Sequence, residues 1–379
     1  MAFEFKGGGF VRRVLVGSSL LAMAGLAATS YVGTARADGH DGHDGHDGHE
    51  QHDGHEQHDH QPSKYTVGLF GDMPYNALGK QQYPNLLQDV NDAHVAFSIF
   101  DGDLKSGGDG ACTDANLYAP ALDSFSMLWQ PLVWLPGDND WTDCWGRYGA
   151  GTSAPGADDP LERLAHERAL FASTNYSLGQ KKLRLTRESQ EGGSYALYSE
   201  NVRWQYGPVV FIGLNVQGSN DNYPYAGVDG ETRTQAQIDV QRAEERARKA
   251  ADLHWLSEGF DYAKRVHALG VMVVFQADLN FNNEQHLADT RSYDALPDYQ
   301  NALRDASLAF PGQVALVHGD SHYFKLDQPL SGPKGGVVPN FVRVETFGAR
   351  NTHWVRATID ANDPHVFSFE PRIVPGNVD

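Results

Sequence analysis

Five apolar runs in this chain each stop at a short polar cluster rich in Gly and Asp. The runs are residues 65–70, 95–100, 132–135, 271–275 and 314–317. The clusters are Gly71-Asp72, Gly102-Asp103, Gly137-Asp138-Asn139-Asp140, Gln276-Ala277-Asp278 and Gly319-Asp320-Ser321-His322. Short apolar runs bounded by turn signals have the length and ending of buried strands. Buried strands that end at one sheet edge deliver their terminal side chains to a common crevice, and oxygen-rich side chains there suit a hard cation or a pair of cations. The pattern predicts the layout of an active site.

Between these runs the periodicity changes. Residues 81–93 and 158–172 read as helices, the second with Pro160 suited to its first turn. Residues 234–264 form the longest helical pattern, with Ala243, Ala247, Ala250, Leu253 and Leu256 at spacings of three or four, and they feed the run at 271. Strands alternating with helices indicate an α/β core. Residues 194–203 and 208–216, around Gln205-Tyr206-Gly207, predict a hairpin. Residues 341–346, 353–359 and 366–369 predict a late antiparallel set.

The ends of the chain set its outer limits. Residues 1–37 carry Arg12-Arg13, an apolar stretch from Val14 to about Ala28, and Ala35-Arg36-Ala37, the order of a cleavable export signal with its cut near Ala37. The arginine pair leaves the general and twin-arginine routes open. An uncleaved anchor is the alternative, because moderate hydrophobicity continues towards Val32. Export implies a periplasmic or extracellular location. Residues 38–62 repeat Asp-Gly-His and Glu-Gln-His with eight His and no apolar residue to bury, which predicts a disordered tail able to gather transition metal weakly. A solvated spacer is the plainer reading of the same composition. Residues 63–379 remain as one large domain or two small ones, and 40% hydrophobic composition allows a sizeable core. A net charge of -19 with no basic patch argues against nucleic acid or anionic lipid as an electrostatic partner. Oligomeric state is not readable.

Cys112 and Cys144 each follow an acidic cluster, so both are expected in neighbouring loops. An oxidising compartment lets them pair, and closing that loop stabilises by roughly 3 to 4 kcal/mol in the chain-entropy model. Two free thiols are the alternative; a thiolate metal site needs more Cys than the chain has.

In their order the clusters resemble the calcineurin-like metallophosphoesterase superfamily. Its strands end in Asp-x-His, Gly-Asp, Gly-Asn-His-Asp/Glu, a lone His and Gly-His-x-His. Residues 136–144, Pro-Gly-Asp-Asn-Asp-Trp-Thr-Asp-Cys, are similar to a Gly-Asp-Asn-Glu-Trp-Thr-Asp-Cys signature of a secreted branch. Residues 254–263, leading into 270–275, are similar to the helix and strand before the lone His. The resemblance covers about residues 65–360. It implies an α/β fold, a four-layer α-β-β-α sandwich, with two metal ions and metal-activated water attacking phosphorus. Asp72, Asp103 and His322 match the family directly, as first carboxylate, bridging carboxylate and last His.

Other positions depart from the pattern. Pro74, Gln276 and Asp320 stand where the family has His. The third motif has two registers: aligned from Pro136-Gly137, Asp138 takes the ligand position; aligned on the Asn, Asn139 is the ligand and Asp140 takes the place of the His that acts on the leaving group. The second register is preferred here, because an Asn carbonyl is an ordinary hard-metal ligand. The resulting expectation is Asp72, Asp103, Asn139, Gln276, Asp320 and His322 around one or two divalent ions, with Asp140 and Asn139 catalytic. An oxygen-rich set favours Mg, Mn or Ca and leaves Fe or Zn possible. Loss of the motif His removes a proton donor of the kind typically contributing about 100-fold or more. The expected activity is that of an exported phosphoric ester hydrolase, monoester or diester. The alternative is a weak or inactive member of the fold that binds metal or ligand and uses its His-rich tail.

Singly, each Gly-Asp pair is ordinary turn chemistry, and Gln276 suits a satisfied strand end. His318 is expected on another face of its strand and His353 as a packed strand residue. Tyr75, Trp141 and Trp145 are expected as a substrate wall or as core packing.

Overall fold

The computed structural model describes residues 62–107, 111–145, 159–224, 234–281 and 294–378. The expected export segment and residues 38–61 of the tail lie outside them, as does the side chain of Trp145. Among the described residues, no helix is long and apolar enough to cross a membrane.

Among the described residues, twelve strands form two sheets. The first takes β1 (Lys64–Phe70), β2 (Phe97–Phe100), β3 (Leu132–Trp134), β11 (Trp354–Asp360) and β12 (Phe367–Arg372), in the order β12-β11-β1-β2-β3. The second takes β4 (Thr186–Arg187), β5 (Val202–Tyr206), β6 (Val209–Gly213), β7 (Gly270–Val274), β8 (Gln313–His318), β9 (Lys325–Asp327) and β10 (Phe341–Glu345), in the order β4-β5-β6-β7-β8-β10-β9. Within each sheet the central strands are parallel, β1 with β2 and β3, and β6 with β7, β8 and β10. Their C-terminal ends therefore share an edge.

Three apolar layers separate four structural ones. Val67, Leu69, Ile99 and Val133 of the first sheet meet Phe211, Met272, Val274 and Val317 of the second. The outer face of the first sheet, Phe70, Phe100 and Trp134, is covered by α1 (Asn76–Asp92), α2 (Ala119–Ser126) and α3 (Pro160–Phe171) through Leu86, Phe125 and Phe171. The outer face of the second, Ile212, Val273 and Leu316, is covered by α5 (Gln235–Arg265) and α6 (Pro297–Ala309) through Trp255, Phe260 and Leu303. The short α4 (Gly218–Asp221) lies between β6 and α5 in sequence. This is the expected α-β-β-α sandwich. Continuous burial of β6, β7 and β8 follows from helices on one face and a sheet on the other.

Local signals explain the helix starts. The Thr234 hydroxyl accepts from the Gln237 amide while the Gln237 side chain accepts from the Thr234 N–H at 2.8 Å, a capping box that starts α5. The Asp159 carboxylate accepts from Leu161 and Glu162, and Pro160 follows it as the first residue of α3.

Two expectations fail. Residues 194–198 are not the first half of a hairpin strand: Gly192 and Gly193 turn the chain with φ of 69° and 58°, and the alternating Leu197 finds nothing to pack on and is 69% exposed. The hairpin is instead β5 with β6. Nor do the late strands form one antiparallel set. β11 and β12 are antiparallel in the first sheet, but β10 runs parallel to β8 in the second, because Val344 belongs to the core between the sheets and lies level with Val317.

Candidate metal centre

The loops after β1, β2, β3, β7 and β8 meet at the shared edge. Asp72 (φ 50°), Asp103 (φ 65°), Asp320 (φ 73°) and His322 (φ 72°) in these loops adopt left-handed backbone conformations. Such positions in residues other than Gly cost of order 1 to 3 kcal/mol each and persist where the surroundings over-determine them. The surroundings here are tight. A Cβ placed on Gly319 or Gly348 would lie 2.0 Å or 2.4 Å from atoms of Asp72, so glycine at both positions lets the loops after β8 and β10 close on that side chain.

Asp72 is fully buried. Its carboxylate accepts from the Asp320 N–H at 3.1 Å, and its Oδ1 lies 3.3 Å from Nε2 of His322. The Asp103 carboxylate takes three contacts: the Asn139 N–H at 3.0 Å, Asn139 Nδ2 at 2.6 Å and the Tyr75 hydroxyl at 2.7 Å. That hydroxyl also accepts from Asn139 Nδ2 at 3.0 Å and stands 3.4 Å from Asp72 Oδ1, with the His322 ring edge-on at 5.2 Å. Across the crevice Gln276 Nε2 reaches Asp138 Oδ1 at 3.2 Å and Asp320 Oδ1 at 3.3 Å, while its Oε1 accepts from the Gly218 N–H at 2.6 Å. Asp72, Asp103, Asn139, Gln276, Asp320 and His322 are thus brought together, along with Asp138 and Tyr75.

Asp140 is not in that cluster as a reactive group. It is fully buried, and its carboxylate accepts from the N–H groups of Asp103 (3.2 Å), Leu104 (2.6 Å) and Gly137 (3.0 Å). Burial pushes it up to about 7 while those amides pull it down. This corrects the expectation that Asp140 meets a leaving group: it ties the loop after β3 to the loop after β2, and Asp138 faces Gln276 and Asp320 in its stead. The alignment from Pro136-Gly137, set aside in the sequence, contained that signal. Asn139 and Gln276 direct amide nitrogen at the carboxylates and so brace the site; the expected oxygen-donor role requires the amide turned over.

Burial, reinforced by Asp138, Asp72 and Asp140, pushes Asp103 well above the usual carboxylate range. Burial does the same to Asp320, with Asp138 and Asp72 adding to it. Burial alone would lower His322, but the hydrogen bond and charge of Asp72 raise it overall. Asp101, one residue before Gly102, is a further buried carboxylate that sequence reasoning missed; its Oδ2 accepts from the Thr346 hydroxyl at 2.9 Å and its Oδ1 has no partner among the described residues.

Cys112 and Cys144 form a disulfide with Cα atoms 5.9 Å apart, linking the segment before α2 to the loop after β3. Trp141 is core, fully buried with the Arg248 guanidinium 5.4 Å from its ring centre. His353 packs edge-on to Phe347 and its Nδ1 accepts from the Val374 N–H, as a structural residue. His318 is fully buried on the strand before the site, with Nδ1 against the Gly319 carbonyl at 2.9 Å.

Among the described residues, no three His, Cys, Asp or Glu side chains are drawn close enough to form a ready ligand set. Tyr75, Asn139 and Gln276 stand between the carboxylates. The donor chemistry still fits a hard divalent cation. Asp72, Asp103, Asp138 and Asp320 are acidic and held by neutral donors, His322 is the one basic group in contact with them among the described residues, and no Lys or Arg there pairs with any of the four.

No family model matches the chain, and no curated protein matches it. Among solved structures it is similar to a dimetal phosphatase from Danio rerio, at 10% identity over 82% of this chain and 96% of that one, with a TM-score of 0.44. It is similar to GAP50, the anchor in the inner membrane complex of Plasmodium, at 11% identity over 82% and 89%, with a TM-score of 0.41. A 5'-nucleotidase from Candida albicans gives 10% identity over 81% of this chain and 50% of that one, with a TM-score of 0.40. Likeness at this level carries neither residues nor activity across.

Proposed function

We propose that this protein is an exported, metal-dependent hydrolase of phosphate esters. The observation that carries this reading is the crevice of four acidic side chains, Asp72, Asp103, Asp138 and Asp320, for which the described residues supply no basic partner except His322. Uncompensated buried charge is costly, and a group that supplies positive charge from outside removes that cost. Asp72, Asp103, Asp138, Asp320 and His322 would hold the cation, one or two ions of Mg, Mn or Ca type by the hardness of the donors. When bound, a divalent cation supplies Lewis acidity towards a phosphoryl oxygen and lowers the pKa of water. Asn139 and Gln276 orient the carboxylates. The His-rich segment 38–62 gathers transition metal in the exported protein.

Tyr75 favours a second reading. Its hydroxyl lies between Asp72 and Asp103, in hydrogen-bond contact with Asp103. A phenol held there leaves room for fewer ions, which suits a binding protein of the same fold with little turnover.

Hydrolysis of a chromogenic phosphodiester by the full chain, across Mg, Mn, Ca, Fe and Zn, separates the two, with Asp103→Asn as the blank because both proteins carry the same tail. Turnover above the blank with at least one metal is expected. Equal rates in both proteins, with equal metal content after dialysis, would sink the assignment of Asp103.

A further inference from the structure

In the helix layer over the first sheet, α1, α2 and the loops after β1 and β2 enclose a cavity of about 220 Å³. Two of its wall segments, Met73-Pro74 and Leu104-Lys105, follow directly on Asp72 and Asp103, but the cavity belongs to the helix layer and shares none of the carboxylates. Leu87, Leu104, Leu117 and Phe125 make its inner surface apolar, and all four are buried.

Five polar residues line it; Asn116 is exposed and the Ser124 hydroxyl donates to the Pro120 carbonyl at 2.8 Å, which leaves Tyr83, Lys80 and Lys105. Tyr83 is 3% exposed, and its hydroxyl has no hydrogen-bond partner among the described residues. Lys105 is 5% exposed, with Nζ resting on the Ser106 carbonyl at 3.3 Å. Lys80 stands at the exposed rim. Among the described residues, neither lysine has a carboxylate within ion-pair distance, and the Lys105 charge acts on Asp140 from farther off. A buried donor left unmatched costs roughly 1 to 3 kcal/mol, and native proteins retain few of them. Burial pushes the Tyr83 phenol up, so it stays an O–H donor throughout the ordinary pH range. An acceptor oxygen is what it lacks. Two ammonium groups at one cavity of a chain with net charge -19 select that oxygen from an anion rather than an amide or alcohol. The apolar interior requires that the anion carry an apolar body. The volume lies below the roughly 300 to 1,000 Å³ of sites for drug-sized ligands, which limits the body to one ring or a short branched chain.

We propose that this cavity is a binding site for a small amphipathic anion, a carboxylate or phosphate on one aromatic ring or short branched chain, with its charge met by Lys80 and Lys105 and an oxygen accepting from Tyr83. The site does not depend on the function proposed above, and its test does not use activity.

Titration calorimetry and saturation-transfer NMR on the full chain, with phenylacetate, phenyl phosphate and neutral phenylacetamide, decide it. Asp103→Asn serves as the background, so that phenyl phosphate is not turned over. One saturable site is expected for at least one acid, with phenylacetamide weaker by roughly tenfold or more; which acid binds more tightly identifies the headgroup. Tyr83→Phe should weaken the acid by roughly tenfold, the loss of one charge-assisted hydrogen bond. Ala121→Trp, which fills the cavity from α2, should abolish binding, and Lys80→Glu at the exposed rim should weaken it without touching the core. No saturable binding of either acid, equal binding of acid and amide, or affinities unchanged by both Tyr83→Phe and Lys80→Glu would overturn the proposal.

Discussion

Among the described residues, the buried acids around Arg248 and those at the strand ends are compensated differently. Behind the crevice Arg248, itself fully buried, pairs with Asp221 at 2.5 Å, Glu244 at 2.8 Å and Asp252 at 3.6 Å. The Tyr299 hydroxyl lies within 3.0 Å of both Asp221 and Asp252, and Asn201 Nδ2 donates to Asp252 at 2.7 Å. That cluster carries its own guanidinium, fixed by helix α5. At the strand ends Asp72, Asp103, Asp138 and Asp320 have no such cation among the described residues, only His322 and neutral amides. The acids around Arg248 are matched from within; the acids at the crevice are left for something outside the chain to match. The first cluster also serves the second. Arg248 and Tyr299 hold Asp221 in α4, where Ser219, Asn220 and Asp221 have left-handed φ as does Asn222 just after it, and that turn presents the Gly218 N–H to Gln276.

The largest expected effect tests the internal match. Arg248→Met strands Asp221 and Asp252 without their partner, and breaking a buried ion pair from one side costs about 3 to 5 kcal/mol. Denaturant unfolding should show that loss, and added Mg or Mn should not restore it. A loss below about 1 kcal/mol would erase the distinction between the clusters, since surface pairs are worth that little.

The next concerns the external match. A cation that binds only the folded chain stabilises it by about 2.7 kcal/mol at a hundred times its dissociation constant, a few degrees in melting temperature for a domain of this size. Wild type should show that rise with its preferred divalent ion, and Asp103→Asn should not. In chelator, Asp103→Asn should melt no lower than wild type, because it removes a carboxylate already crowded by Asp138, Asp72 and Asp140. A variant destabilised in chelator would make Asp103 a structural acid like those around Arg248.

The smallest effect lies at the margin of the internal cluster. Glu188 is buried, with one oxygen accepting from Asn201 at 2.8 Å and the other without a partner among the described residues, and burial pushes it up to about 8. A carboxyl raised in the folded state binds its proton more tightly there than in the unfolded chain. Its contribution to stability is therefore full below its ordinary value of 4.5 and is lost as pH rises through about 8. Glu188→Gln should flatten that fall, matching wild type near pH 5 and exceeding it near pH 9 in thermal melts. Parallel curves for the two proteins would show that Glu188 titrates normally.

Local grammar made the element succession readable before any contact was known. An apolar run with a Gly-Asp stop, the spacing of Ala243, Ala247, Ala250, Leu253 and Leu256, and Pro160 in a first turn each act within a few residues of chain. The strands at 65–70, 271–275 and 314–317 accordingly appear within a residue or so of their expected limits, as Lys64–Phe70, Gly270–Val274 and Gln313–His318. Pattern alone misread residues 194–198 because alternation marks a strand only where a partner buries one side of it, and none does there.

The sequence by itself determined which strand ends carry oxygen donors, and so where a crevice of acids would form. Tertiary structure decided which of those acids face one another. Within Asp138-Asn139-Asp140 every residue is a plausible donor, and the choice rests on distant backbone: the N–H groups of Asp103 and Leu104, more than thirty residues earlier, occupy the Asp140 carboxylate and leave Asp138 turned to Gln276 and Asp320. Likewise Tyr75 meets Asp103 only because the Asp72 and Met73 N–H groups dock on the Gly102 and Asp103 carbonyls. A side chain's chemistry is local, but its partners are set by which loops the two sheets bring to the same edge.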